Sequence, residues 1–421
     1  MRLPARSAVL VLAAAAYLAI GPYALVAVAV LLVAGLVASQ RIRRGLRPTW
    51  KTSGIFVVLA AAVALVVALI PDGRLPIPPG GGMLVTASYV GSPAEPRPID
   101  LSIPQHPGLA VNGSSSMHND GWATDAYAGP GPLGVDPEVD TAWYGIKECA
   151  TLAFDRHGRI VALCGSVRGA IMHVLDPESM DPLVTVKLPG RTSASEKKPW
   201  QDLCGGAYFY LGADDRAYVE TTTRQIRVFE TATADGEPAL DQVEVLDLSG
   251  VVPEDDCLLS LMPDWQGRGI WFATQDGRVG LAELGGEPQV LELGAGIANS
   301  MAADLTGLYV VTDGDFFKLD VGEDGSPEIV WSAAYDNSGV DKTGQLSPGS
   351  GTTPTVLPNG LVAITDNAEP RMNVVFYDAT DGSKVCQEPV FGEGESSTDN
   401  SLVAVGSASV VVENNFGNDS P

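Results

Sequence analysis

Four polar clusters in this 421-residue chain hold the side chains best able to do chemistry. The richest is SMHNDGWATDAYAGPGPLG (116–134), where His118, Asn119, Asp120, Trp122 and Asp125 crowd a Gly/Pro-rich stretch. Acidic and aromatic groups packed into such a loop suit a binding surface. The second cluster is Asn299 in GIANSMAAD, the third Asp366-Asn367, the fourth Glu413-Asn414-Asn415. All three lie where short apolar runs begin or end. Asn and Asp at such places also cap turns by bonding the backbone two residues on, so each has a plain structural reading beside the chemical one. No GxSxG elbow, P-loop, HExxH, dinucleotide fingerprint or EF-hand loop occurs, and no CxxC or Cys/His spacing suggests zinc. His106, His157 and His173 fall in turns or strand runs, and His157 reads as a hairpin-turn residue.

The elements that position these clusters repeat. After residue 83 short β-rich runs recur between Gly/Asp/Asn/Pro turns, with no useful helical period. The unit is a hydrophobic strand, a tight polar turn and a second apolar strand. It appears as ATLAFDRHGRIVALC, AYFYLGADDRAYVET, LSLMPDWQGRGIWFAT, SMAADLTGLYVVTD, PTVLPNGLVAITD and LVAVGSASVVVEN. With Phe154, Leu211, Pro263, Ala303, Leu357 and Val405 taken as equivalent, the period is that of a four-stranded propeller blade. A third strand ending in Asp and a turn follows in IMHVLDPESMD, FFKLDVGEDG and VVFYDATDGSKV. The fold expected is an all-β propeller over 83–421, six-bladed, with seven blades as the alternative. The last unit has two clear strands. Either MLVTASYV (83–90) and PIDLSI (98–103) complete it, or the ring is incomplete. Propeller sites sit in the central channel or at its mouth, which the polar clusters fit. The tryptophans of this region read as blade packing.

Two resemblances follow from these repeats. GIANSMAADLTGLYVVTD resembles the blade opening of the calcium-dependent six-bladed propellers, the gluconolactonase and strictosidine-synthase-like group. In that group Asn and Asp/Glu side chains from successive blades converge on an axial Ca²⁺, which polarises a lactone or ester oxygen. The resemblance implies Asn299, Asp366 and Asn367 as ligands, with Glu413 and Asn414 completing the set. It also implies His118 as general base, oriented by Asp120 or Asp125. VVFYDATDGSKV is similar to the hairpin of quinoprotein-like (PQQ-repeat-like) propeller repeats. Cys386 stands near where their docking tryptophan would be, and the other units lack it, which weighs against quinone chemistry.

The five cysteines fit an oxidising compartment. If the DRHG turn pairs Phe154 with Arg159, Cys149 falls opposite Cys164, and a slip of one residue would spoil the bridge. Cys204 and Cys257 lie about one blade apart, spaced to bridge adjacent blades. Cys386 is left over. Buried, reduced cysteines are the alternative.

The N-terminal part is of another kind. Apolar stretches at 8–38 and 54–70 match transmembrane helices, the first either one kinked helix or two short ones turning at Gly21-Pro22. The loop between them (39–53) carries Arg41, Arg43, Arg44, Arg47 and Lys51, which places it in the cytoplasm. PDGRLPIPPGGG (71–82) reads as a linker. Residues 1–82 hold eight Lys/Arg and one acid, Asp72; the totals of 26 and 51 then leave 18 basic and 50 acidic residues for 83–421, a net charge near −32. That surface argues against nucleic acid and against lying on anionic lipid. The function expected is an extracytoplasmic binding module on the plasma membrane, for a protein, glycan or small molecule. The alternative is a calcium-dependent hydrolase of lactones or esters.

Overall fold

The computed structural model describes residues 101–127, 147–166, 168–190, 208–283 and 285–418, with isolated positions at 50, 54, 57, 58, 61, 62, 65, 69, 142, 144, 145 and 204. The chain divides into two compact units, one of 1–96, 131–146 and 178–181, the other of 97–130, 147–177 and 182–421. The expected span at 8–38, nearly all of the loop at 39–53 and the linker at 71–82 lie outside the described residues. Within 54–70, seven positions are described, all helical and exposed. Among the described residues no helix is long and apolar enough to cross a membrane.

The second unit holds every strand, in six antiparallel sheets among the described residues. The first is β1 (Glu148–Phe154), β2 (Ile160–Gly165), β3 (Gly169–Leu175) and β4 (Pro182–Gly190). The second is β5 (Phe209–Leu211), β6 (Arg216–Glu220), β7 (Gln225–Ala232) and β8 (Pro238–Asp247). The third is β9 (Leu258–Pro263), β10 (Ile270–Thr274), β11 (Arg278–Ala282) and β12 (Gln289–Glu292). The fourth is β13 (Ala302–Asp304), β14 (Gly307–Val311), β15 (Asp315–Val321) and β16 (Pro327–Ala334). The fifth is β17 (Thr355–Val356), β18 (Leu361–Thr365), β19 (Asn373–Asp378) and β20 (Lys384–Pro389). The sixth is β21 (Val403–Val405) with β22 (Ser409–Val411). The six repeat units of the sequence are the first two strands of these six sheets.

Burial gives the radial order. Strands β5, β9 and β17 are buried throughout, whereas every residue of β20 is exposed and β12 is nowhere buried. First strands also touch first strands, β1 with β5, β5 with β9 and β13 with β17. In the sheets these strands report on, the first strand is thus innermost, and the fourth, present in the first five sheets, lies outward, as in a propeller blade. The core accordingly lies between successive sheets. Val161, Leu163 and Met172 meet Phe209, Val219 and Phe229 between the first and second sheets. Tyr309, Phe316 and Trp331 meet Val362, Ile364 and Tyr377 between the fourth and fifth.

Polar staples also join neighbouring sheets, the first to the second and the third to the fourth. In the DRHGR turn, Arg159 donates from Nε to Asp155 (2.7 Å) and reaches across to the carbonyls of Gly236 and Thr231. In DWQGR, Arg268 bonds Asp264 (2.7 and 2.9 Å) and crosses to Asp320 of the fourth sheet (2.7 Å). Both disulfides have the expected partners. Cys149 and Cys164 face each other in the β1–β2 register and are bonded. Cys204–Cys257 ties the lead-in of the second sheet to that of the third. The reduced alternative is overturned for these four, while Cys386 is free and exposed on β20. Of the segments expected to complete the sixth sheet only Leu101–Ile103 are described, and they carry no strand; among the described residues β21 pairs with β22 alone. Residues 83–90 lie outside them.

Candidate functional site

Residues 106–126 occupy the place where the first strands converge. Pro104, Pro107, Gly108, Gly113, the run Ser114–Ser116 and Gly121 give no alternation of apolar and polar residues, so the segment cannot build a ladder of its own. It folds as successive turns, with left-handed backbone at Asn119, Ala123 and Asp125 (φ 69, 51 and 53°). For an alanine that region costs about 1–2 kcal/mol, and Ala123 is wholly buried, so its surroundings hold it there.

Those surroundings are the inner strands themselves. Phe154 N–H donates to Ser114 O (3.0 Å), Leu211 N–H to Ser115 O (2.7 Å), Ala303 N–H to Gly121 O (2.6 Å), Val356 N–H to Trp122 O (3.0 Å) and Ala404 N–H to Thr124 O (2.9 Å). These donors come from five of the six first strands, at or one residue from the positions the repeat makes equivalent. The sixth equivalent is Pro263, which has no N–H. There Gly108 lies against the proline ring, where an added Cβ would sit 2.9 Å from Pro263 Cβ. The sheets therefore close around a segment of their own chain.

The two residues expected to be catalytic lie in this segment. His118 Nδ1 meets both oxygens of Asp125 (3.1 Å each), and Nε2 meets the buried Thr353 hydroxyl (3.2 Å). Asp125 is thus the partner of His118, and Asp120 is not. Asp120 turns inward instead: Oδ1 accepts the N–H of Trp122 (2.9 Å) and of Thr124 (3.4 Å), and Oδ2 accepts the Thr124 hydroxyl. Burial pushes its carboxyl up to about 6. His106, also buried, accepts Gly108 N–H at Nδ1 (2.9 Å) and stands edge-on to Trp265 at 4.4 Å. Burial lowers it to about 4, so it is a neutral ring.

The residues expected to bind calcium are each engaged in local structure. Asn299 donates to Ser350 O (2.8 Å). Asp366 accepts both nitrogens of Asn373 (2.6 Å each), and burial raises its carboxyl. Asn367 donates to Pro348 O (2.7 Å) and Val340 O (3.0 Å). Glu413, exposed, accepts Asn400 Nδ2 (2.8 Å). Asn414 accepts Ser397 N–H (3.2 Å) and donates to Glu395 O (3.0 Å). No hydrogen bond joins any two of the five. Among the described residues no group of three His, Cys, Asp or Glu is placed to hold a metal ion.

A different acidic group stands beside His118. The Tyr208 ring stacks on the His118 ring at 6.2 Å, and its N–H donates to Glu220 Oε1 (3.2 Å). The carboxyls of Asp399, Glu220 and Asp125 all act on the Tyr208 phenol. Glu220 is fully buried, its Oε2 has no hydrogen-bond partner, and burial pushes it up to about 8. Asp399, accepting only Leu346 N–H (3.2 Å), is pushed up to about 7 by the same cause. Sequence reasoning passed over Glu220, yet it ends the second strand of its unit, as Asp366 and Glu413 follow theirs. The rule that singled out those two would have found it.

No protein-family model matches the chain, and no curated protein matches it by sequence. Among solved structures, BamB from Moraxella catarrhalis is similar at 16% identity and TM-score 0.35, over 56% of this chain and 62% of that one. The WD40 domain of Toxoplasma gondii coronin shares 11% identity at TM-score 0.37, over 55% and 56%. The β-propeller domain of Cps50 (Swd1) from Myceliophteria thermophila shares 14% at TM-score 0.32, over 62% and 90%. The chain thus spans under two thirds of the first two. The assignment of a propeller-like, all-β fold stands on the strand order and burial above.

Proposed function

We propose that this chain is a membrane-tethered binding module whose sheets stand outside the cell and recognise a protein. One observation carries this reading: the axis is filled by residues 106–126, held by backbone bonds from five sheets. His118 and Asp120, the groups with acid–base chemistry, are engaged in seating that segment. The surface left to a partner is the loops and outer strands, in a region of net charge near −32, so a basic partner fits best. Photo-crosslinking residues placed at the exposed Val385 and Glu388 of β20 should give a discrete protein adduct in intact cells. No adduct at these or other rim positions would contradict the reading. Location is tested by the exposed thiol of Cys386: a membrane-impermeant maleimide should label it in intact cells, and labelling only after lysis would place the sheets inside.

A second reading, hydrolysis of a lactone or ester, draws on the Asp125–His118–Thr353 chain. If Nδ1 carries the proton to Asp125, Nε2 is free to accept from the Thr353 hydroxyl. Thr353 is 1% exposed, which favours the structural use. Esterase activity lost in both Thr353→Val and Asp125→Asn, with the fold intact, would reverse that order.

A further inference from the structure

We propose that the free edge of β22 docks an extended segment of a partner protein, one with alternating apolar residues flanked by Lys or Arg. The inference names a surface and a mode of recognition for the binding-module reading, and rests on that reading for the existence of a partner.

The register fixes which backbone groups the edge offers. Opposed residues of an antiparallel pair alternate between hydrogen-bonded and non-bonded. Ala404 spends its N–H on Thr124 O, away from β22, so Ala404 and Val410 are a non-bonded pair. Val410 therefore turns its N–H and C=O to the far side of β22, and among the described residues neither has a partner. In each of the other five sheets that side of the second strand carries a third. An edge of this kind is a template for strand addition.

The neighbouring face is bare where such a strand would lie. Between the fourth and fifth sheets, Lys318 on β15 and its cross-strand partner Trp331 on β16 both reach Ala379 O and are 3% and 7% exposed. The matching pair on the fifth sheet is Phe376 on β19 and Cys386 on β20. Phe376 lies on the side that meets Val410 and Val412, yet it is only half-buried, and Cys386 is exposed. Val411, on the other face of β22, is 56% exposed. A strand with apolar residues at alternate positions would continue β22 and cover Phe376.

Charge selects the partner. From 385 to 421 the sequence has Glu388, Glu393, Glu395, Asp399, Glu413 and Asp419, and no Lys, Arg or His. Glu413 follows β22 and is exposed, as is Glu395, whose carbonyl accepts from Asn414 (3.0 Å). Cations at the ends of an added strand would meet these acids, whereas a second copy of this chain would bring like charge.

The test is fluorescence anisotropy of a dye-labelled heptapeptide, KVTVTVK, titrated with the full chain in detergent micelles. Binding should saturate. It should weaken about tenfold in Val410→Pro, which removes an N–H that the sheet does not use, with melting of the variant to check its fold. The peptide EVTVTVE should bind about tenfold more weakly, and KVTVTVK methylated at its five central backbone nitrogens should not bind. No saturable binding of KVTVTVK, or equal binding of the methylated peptide, would overturn the edge, whatever the fate of the proline variant. So would a native dimer that falls apart in Val410→Pro, or binding that appears only after Val85→Pro, since either gives the edge to this chain's own residues. A rim adduct in cells without peptide binding would sink the edge alone, leaving the module reading in place.

Discussion

Replacing Glu220 by Gln should remove most of one pH dependence from the stability of the sheets. The carboxyl is fully buried, and burial raises it from 4.5 to about 8. Its pKa is higher folded than unfolded, so the unfolded chain loses the proton first. Stability is therefore complete at low pH and falls as pH rises from about 4.5 to about 8, where the loss levels off. At about 1.36 kcal/mol per unit, the change between pH 5 and pH 8 from this one group is roughly 3–4 kcal/mol. Gln keeps an acceptor for Tyr208 N–H and cannot ionise. The variant should match the native chain within about 1 kcal/mol at pH 5 and exceed it by roughly 3 kcal/mol at pH 8. Urea unfolding of the full chain at the two pH values measures both numbers from the shift in midpoint. A variant that is weaker at both, with the native pH dependence intact, would show that Glu220 is ionised and already paired, and the reasoning would fail.

Other consequences follow from the same contacts. Arg268→Ala leaves Asp264, 3% exposed, without its two guanidinium bonds, and should cost about 3–5 kcal/mol in urea unfolding; the companion change Asp264→Asn should recover part of it. Reduction should lower stability by about 4 kcal/mol for the Cys204–Cys257 bridge, which closes 53 residues, and about 3 kcal/mol for Cys149–Cys164, which closes 15. Melting of the two serine pairs, one bridge removed at a time, separates the contributions. Gly108→Val meets the Pro263 ring and should unseat the segment, seen as a lower melting temperature that Gly121→Ser, against His106 and Trp265, reproduces.

The sheets were legible in the sequence because each hairpin is written in local terms. Alternation, a Gly or Asp turn and an apolar return fix the register of β1 with β2 closely enough to place Cys149 opposite Cys164. The axial segment was not legible, because its structure is set by others. Ser114, Gly121 and Thr124 offer only backbone carbonyls to strands 40 to 280 residues away, and main-chain bonds leave no mark on side-chain type. Two signals did exist. A stretch such as 106–126 without strand period inside an all-β domain needs buried partners for its backbone, and Pro263 breaks a row of positions that otherwise supply an N–H. The polar strand ends were found as residues but not as an arrangement. Which of Asp366, Asn367, Glu413 and Glu220 turn toward a shared point depends on turn geometry and on distant partners: Asp366 serves its own turn, whereas Asn367 bonds Pro348 O and Val340 O and Glu413 bonds Asn400. His118 was correctly placed in a loop rich in acids, while its partner is Asp125, with Asp120 shaping the loop.

Amide hydrogen exchange of the full chain tests the axial seat most directly. The N–H groups of Phe154, Leu211, Ala303, Val356 and Ala404, together with the backbone of 106–126, should be protected as strongly as the centres of β10 and β14. Exchange of those five amides and of 106–126 at the rate of an open loop, with the sheets still protected, would mean that the sheets do not close around this segment.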